Sequence, residues 1–520
     1  MKRLACFIAL MLLAAFTFAE DFFDLVSQST PELILDAIRT GAKLSDRDKY
    51  GRTPLMFAAR FNPNAEVISA LLKAGAKIEE SDKGDRTPLM FAAAGNENPE
   101  VINELLKSGA RIDAKDEDGM TPLMNAAATN GNPDVIVELL KAGARIDDRD
   151  KNGRTSLMLA ARDNIKPEII ETLLKAGART GERDRDGVTP LMFAAVHNSN
   201  PDVVLSLLNA GARTDVKDAS GRTPLMDAAY HTQSLDVISA FLKAGAKIDD
   251  RDRYNMTPLM FAAGFNGDVG VLNALLDAGA DVSDRDLDGH TALMWAAYNN
   301  SNPNVLAALI REGAVVEDKD AKGQTSLMWA CLNNSDPDIV KLLLKAGANV
   351  EDRALNGFTP LMFAAKNSNP EVLKVILASG ANRDDRDANG GTALMSAAYD
   401  NSNPKVIRAL LTAGDNIDAR DSNGGTALMS AAYNNLNPEV LLLLLEAGAQ
   451  INAQDNEGMT PLMWAAKHNT NPDVVSTLLK AGANGKLTSK EGKTAGAYAD
   501  ENEKLKGTAQ YWDLNNARFD

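Results

Sequence analysis

Apolar and polar positions along this chain recur on a fixed period. A threonine stands at 53, 87, 121, 155, 189, 223, 257, 291, 325, 359, 392, 426, 460 and 494; every step is 34 residues except one of 33, between Thr359 and Thr392. That shorter step falls in AAKNSNP, where the repeat at 291 reads AAYNNSNP, and the missing residue is expected in a loop. One unit, from residue 116, reads DEDGMTPLMNAAATNGNPDVIVELLKAGARI. Thr121 is a favourable N-cap and Pro122 suits a first helical position, so Leu123, Met124, Ala126 and Ala127 are expected on a short helix of small residues. Asn132 caps a second helix, with Pro133 in its first turn and Asp134 against the helix dipole. Val135, Ile136, Leu139 and Leu140 give that helix an apolar stripe at helical spacing. Gly143 ends it in a left-handed cap, and a polar stretch containing Gly119 leads into each new threonine. A unit this small cannot bury its own stripe, so it must stack on copies of itself.

The recurring TPLM-x-AA and KAGA segments resemble the ankyrin repeat, whose unit carries Thr-Pro-Leu-His-x-Ala-Ala and a Gly-Ala step after its second helix. The resemblance covers about residues 20 to 515. It implies an all-α solenoid of helix-loop-helix-turn units with short hairpin-like turns. It also implies a concave face, lined by the turns and the residues after Ala-Ala, that commonly contacts partner proteins. The expected organisation is a signal peptide over 1–19, an N-terminal capping repeat over 20–52, thirteen tandem repeats over 53–493, and a C-terminal capping repeat and tail over 494–520. At the N-terminal end STPELILDAIRTGA supplies a second helix without the full TPLM opening; at the other end Leu505, Ala509 and Trp512 are expected to close the last interface.

Composition narrows the function. The 520 residues carry a net charge of −16, which argues against nucleic acid as the main ligand, since such footprints need a basic face. Lys2 and Arg3, the apolar run Leu4 to Phe16 and the small residue Ala19 before Glu20 read as a secretory signal. Its removal takes the net charge to −18 and leaves Cys331 as the only cysteine, so no intramolecular disulfide is expected. No further segment has the length and apolarity of a membrane span. The chain is therefore expected to be exported, either periplasmic or secreted.

Several columns of the repeat carry candidate chemistry. Where the family has His, this chain has Met at 56, 90, 124, 158, 192, 226, 260, 294, 328, 362, 395, 429 and 463. Met cannot donate that bond but fills irregular space, so an apolar spine is expected; oxidant scavenging would require exposed sulfur. Six residues before the threonine lies a cation in the run from Arg47 to Arg420, among them Lys115, Arg149, Lys319 and Arg386, with Ser81 the exception; an aspartate follows from Asp48 to Asp455, broken only by Ala354. Stacked turns would make these two ladders of opposite sign joined by cross-repeat ion pairs. Turns starting at Asp148, Asp284 and Asp385 match the opening of a calcium loop but have Leu159, Trp295 and Ser396 where a bidentate Glu is required. Cys331 replaces an alanine of the repeat and reads as a buried small residue. Neither a nucleophile-base spacing nor a phosphate-binding glycine motif stands out, so no catalytic residue, metal, cofactor or small-molecule ligand is expected.

Columns that vary while their neighbours stay fixed are free of packing duty. The residue directly after Ala-Ala includes Tyr230, Tyr298, Tyr399 and Tyr433; the next column adds His197, His231, Phe265 and His468; His290 precedes Thr291. Tyrosine is a good interface anchor, combining area, rigidity and a hydroxyl. A protein-binding patch is expected between Tyr230 and Tyr433. Phe57, Phe91, Phe193, Phe261, Trp295, Trp329, Phe363 and Trp464, each following a column Met, are expected to form its floor, with Asp227, Ser396 and Ser430 opening polar gaps. The function read from these columns is an exported scaffold binding partner proteins through the concave face and turn tips. A structural or stress-protective envelope protein and a secreted effector acting on another organism's proteins are the alternatives.

Overall fold

The computed structural model describes residues 22–517, and the regular structure among them is helical. The leader expected over 1–19 lies outside the described residues. The chain divides into two compact units, Met1–Arg253 and Tyr254–Asp520, built on one plan. Each repeat has a first helix such as Pro122–Thr129 and a second such as Pro133–Lys141. Within each unit first helices pack on first helices of the next repeat, and second on second. Thr121 Oγ1 accepts from the Met124 N–H at 3.3 Å, and the Asn132 side chain accepts from the Asp134 N–H at 3.0 Å, so both caps form as their residues dictate. Val135, Ile136 and Leu139 are fully buried, and Leu140 is half-buried at the stripe's edge.

The methionine column is buried throughout, no member being more than 6% exposed, so the exposed sulfur that scavenging requires is not there. The column is more than an apolar filler. Met Sδ accepts from the backbone N–H of the capping threonine at Thr53, Thr121, Thr155, Thr189, Thr223 and Thr460, at 3.3–3.5 Å. This is a capping box in which sulfur, a weak acceptor, stands where a Glu or Gln side chain usually does.

A second column was not anticipated as structural. The residue after nearly every first helix is an asparagine, most of them buried and Thr232 the exception, and its amide stitches repeat to repeat. Asn130 Nδ2 donates to Ala93 O and to Asn96 O of the preceding repeat, both at 2.9 Å, while its Oδ1 accepts from the Asn132 N–H at 2.8 Å. The same pattern recurs at Asn96 and Asn164 in the first unit, and at Asn300, Asn334, Asn401, Asn435 and Asn469 in the second. Only a carboxamide offers two donors and an acceptor in so short a side chain. This ladder also explains the 33-residue step. The missing residue comes out of the first helix, Pro360–Lys366, which has 7 residues against 8 for its neighbours, and not out of the loop. Asn367 thereby keeps its bonds to Cys331 O and Asn334 O, both 2.9 Å.

The turns correct the expected charge ladders. The aspartates face inward: Asp150 Oδ1 accepts the N–H groups of Asn152 and Arg154, each at 2.8 Å, and the side chain is 5% exposed as a residue. The cations bridge backbone carbonyls instead. Arg149 Nη1 donates to Gly153 O of its own turn at 2.6 Å and to Arg183 O of the next at 2.8 Å; Arg386 does the same with Gly390 O and Arg420 O at 2.7 and 2.9 Å. Cross-repeat ion pairs exist, but their acids belong to another column, as in Arg285–Asp318 at 2.7 Å and Lys319–Asp352 at 3.2 Å. Successive tips also join through the backbone, Lys151 N–H donating to Asp118 O at 2.9 Å. That contact requires Gly119: its φ is +80°, and a Cβ there would lie 3.1 Å from Lys151 N.

The C-terminal end is closed by Leu505 as expected, but not by Ala509 or Trp512. Leu505 is buried, but Trp512 is 61% exposed and Ala509 lies outside; Leu514 and Tyr498 complete the cap. At the N-terminal side residues 22–28 form a helix that buries Phe22 and Val26.

Candidate functional site: the aromatic face of the second unit

The aspartate that orders each turn has one oxygen left over, and what binds it sets the character of the face. In three turns of the first unit it holds the arginine that precedes the threonine. Arg52, Arg86 and Arg154 donate Nε to the Oδ2 of Asp48, Asp82 and Asp150 at 2.7, 3.0 and 2.7 Å. The guanidinium carbons of Arg52 and Arg86 lie 4.7 and 4.9 Å above the rings of Phe57 and Phe91. In the second unit the same oxygen holds an indole. Trp295, Trp329 and Trp464 donate Nε1 to Asp286, Asp320 and Asp455 at 3.0, 3.0 and 2.9 Å.

His290 sits between two of these aspartates, Nδ1 at 3.0 Å from Asp286 Oδ2 and Nε2 at 3.5 Å from Asp320 Oδ2. Burial alone would lower its pKa. The bonds and charges of the two carboxylates outweigh burial and raise it to about 9, while holding both Asp286 and Asp320 below the usual carboxylate range despite their own burial. His290 is therefore an imidazolium that ties two turns together, with a side chain 15% exposed, and not the projecting contact residue the sequence suggested. Around it stand Trp295 and Trp329 edge-on, at 5.5 and 5.1 Å between ring centres, and Tyr298 perpendicular to Trp329 at 5.1 Å. With Met294 they line a hollow of about 200 Å³. Phe265, exposed, adds a ring 5.5 Å from Trp295. Gly264, in the tyrosine column, makes the room: a Cβ there would lie 3.1 Å from Trp295 Cβ.

The remaining residues of the expected patch fall into separate groups. Tyr399 and Tyr433 stack at 5.8 Å, and Tyr433 lies 4.6 Å from His468 and 5.5 Å from Trp464. Leu332 and Lys366 occupy the tyrosine column between this group and Tyr298; Lys366 pairs with Asp400 at 2.7 Å. In the first unit His197, His231 and Val237 line a hollow of about 410 Å³, and Tyr230 lies against His231 at 4.1 Å. Burial, followed by the Arg162 charge, lowers the His197 pKa; burial, followed by His197, lowers that of His231. Asp163, in the same column one repeat before His197, is bound by Arg162 at 2.7 and 2.9 Å. Among the described residues no three His, Cys, Asp or Glu side chains converge as a metal site. Asp227 and Ser396, expected as polar gaps, are buried. The indole-to-aspartate bonds were missed by sequence reasoning, though a signal exists: each of those tryptophans stands nine residues after its aspartate.

Stacked two-helix units with a rigid face of side chains that the core does not use define a repeat protein of the binding class. The family model for ankyrin repeats, three copies to a match, fits residues 24–116, 91–184, 157–252, 259–354, 333–421, 361–455 and 397–491. The chain belongs to the ankyrin-repeat family. Its members are generally protein–protein interaction modules and typically non-enzymatic scaffolds. No curated protein matches the chain, and no helix among the described residues is long and apolar enough to cross a membrane.

Proposed function

We propose that this chain is an exported scaffold that binds a partner protein across the first-helix and turn face, chiefly in the second unit. The observation that carries the reading is the set of half-exposed rings fixed by hydrogen bonds to turn aspartates, such as Trp329 on Asp320. Rings held this way lose little freedom on binding, which reduces the ordering cost of association. Export is supported by the charged start and apolar run of residues 2–19. The test is cross-linked capture from the native envelope fraction with the wild-type chain beside a Tyr298→Ala/Tyr399→Ala/Tyr433→Ala variant, both matched by circular dichroism. A partner held by the first and lost by the second supports the reading; equal retention moves the site off this face, and no partner in either lane overturns it. An N-terminus at Glu20 in the recovered protein would mark processing.

A further inference from the structure

The hollow between the 290 and 325 turns is walled by rings, and the chain's own repeats state its chemistry. In the first unit, Arg52 and Arg86 each bond the turn aspartate and cover the ring that follows the column Met. At the corresponding positions of the second unit stand His290 and Gln324, while the aspartates Asp286 and Asp320 and the rings Trp295 and Trp329 remain. The aspartate-and-ring site is kept, and the long internal cation is replaced by shorter side chains. Gln324, 9% exposed, has an amide oxygen with no hydrogen-bond partner among the described residues.

Charge favours the same ligand. The imidazolium of His290 offsets one of the two carboxylates behind the rings, so the floor carries a net negative charge. The walls are two indoles and a phenol, whose π-faces attract cations within about 6 Å of the ring centre. A volume of about 200 Å³ suits one side chain; small-molecule sites commonly run to roughly 300–1,000 Å³.

We infer that the hollow formed by Trp295, Trp329, Tyr298, Met294 and His290 receives a lysine or arginine side chain of the partner protein, which takes the place that arginine occupies internally in the first unit. This rests on the reading of the face as an interaction surface and names the chemistry of one contact. Binding of an aliphatic side chain is the alternative that the test separates.

The test uses the full chain labelled with 5-fluorotryptophan. It has four tryptophans, so each gives an assignable ¹⁹F signal. The probes are glycine–serine peptides with one central arginine, lysine, citrulline or leucine. The arginine and lysine peptides should shift the Trp295 and Trp329 signals at millimolar concentration and leave Trp512 unmoved. Citrulline and leucine should bind about tenfold more weakly, the loss expected when a desolvated cation–π contact is removed. Tyr298→Leu should weaken the arginine peptide by a similar factor, and unchanged ¹⁹F signals of Trp464 and Trp512 without peptide report intact folding. Equal shifts from leucine or citrulline, or no shift at Trp295 and Trp329, overturn the inference. If the peptides fail while partner capture still depends on Tyr399 and Tyr433, the basic contact falls and the interaction face stands; if both fail, the functional reading falls with it.

Discussion

Three turns of the first unit and three of the second differ in the partner of a single oxygen atom. In both, the turn aspartate spends Oδ1 on the same two backbone N–H groups, as Asp82 does with Gly84 and Arg86 and Asp320 does with Lys322 and Gln324. In the first unit Oδ2 then binds Arg52, Arg86 or Arg154; in the second it binds Trp295, Trp329 or Trp464. The turn keeps its shape through Oδ1, so the partner of Oδ2 can change without disturbing the stack. An arginine there closes over the ring and neutralises the carboxylate. An indole leaves the carboxylate charged, so its imidazolium or an external cation must balance it. All four tryptophans lie in the second unit, so a recognition face can be built in one stretch of a repetitive chain while the frame stays uniform.

If the frame is shared, damage to it should be indifferent to location. Asn130→Ala and Asn435→Ala each remove two buried bonds and strand the carbonyls of Ala93 and Asn96, or of Ala398 and Asn401. Each substitution should cost about 2–4 kcal/mol, from two acceptors left unpaired. Urea unfolding followed by circular dichroism measures it. A large penalty in one unit and a negligible one in the other would show that the ladder is not a common frame.

The faces should differ in the pH range over which their stability is lost. Asp227 occupies the ring column of the first unit; burial first, then the Asp218 charge, raises its pKa to about 7, against the opposing Arg222. A carboxyl with a raised folded pKa holds its proton more tightly when folded, so stability is greatest below pH 4 and falls as pH rises towards 7. Asp227→Asn should therefore stabilise by about 2 kcal/mol at pH 8, with the gain vanishing near pH 4. His290 has the same sign over a higher range, but here the protonated form carries a favourable ion pair, so removing the group destabilises rather than stabilises. Its raised pKa gives stability that is complete below about pH 6.5 and is lost as pH passes 9. His290→Gln should lose about 1–2 kcal/mol at pH 6 and little at pH 10, after allowance for solvent screening. Thermal unfolding of both variants against wild type between pH 4 and 10 checks the pair; matching profiles would erase the distinction.

The sequence made the repeat legible because packing imposes spacing: small alanines, capping threonines and the Val-Ile-Leu stripe must recur wherever two helices meet. It made the aromatic residues legible as variable positions. It did not reveal their grouping, because Trp329 reaches an aspartate nine residues back and His290 reaches one in the following repeat. Nothing in the sequence singled out Asn130, since composition does not say that an amide is buried against two carbonyls of the previous repeat. The charged turns misled for the same reason: neighbouring Arg and Asp columns suggest pairing, but a planar fork beside two open carbonyls finds those first.

The smallest effect follows from that last point. Arg386 spans Gly390 O and Arg420 O, whereas the natural lysines of this column in the first unit reach one carbonyl each, Lys115 to Arg149 O at 3.2 Å and Lys217 to Arg251 O at 2.6 Å. Arg386→Lys should then behave like a native position of the first unit and cost at most about 0.5 kcal/mol, one exposed bond lost. Arg386→Ala should cost about 1 kcal/mol. Both penalties should survive 1 M NaCl, because the acceptors are carbonyl dipoles; the Debye length falls there to about 3 Å, which screens charge pairs. Asp318→Asn, which breaks the ion pair with Arg285, should by contrast lose its small penalty in salt. Denaturation midpoints of the three variants in low and high salt decide it. If the Arg386→Ala penalty disappears with added salt, the column is an ion-pair ladder after all, and the inward-facing aspartates are not what frees Oδ2 to distinguish the two units.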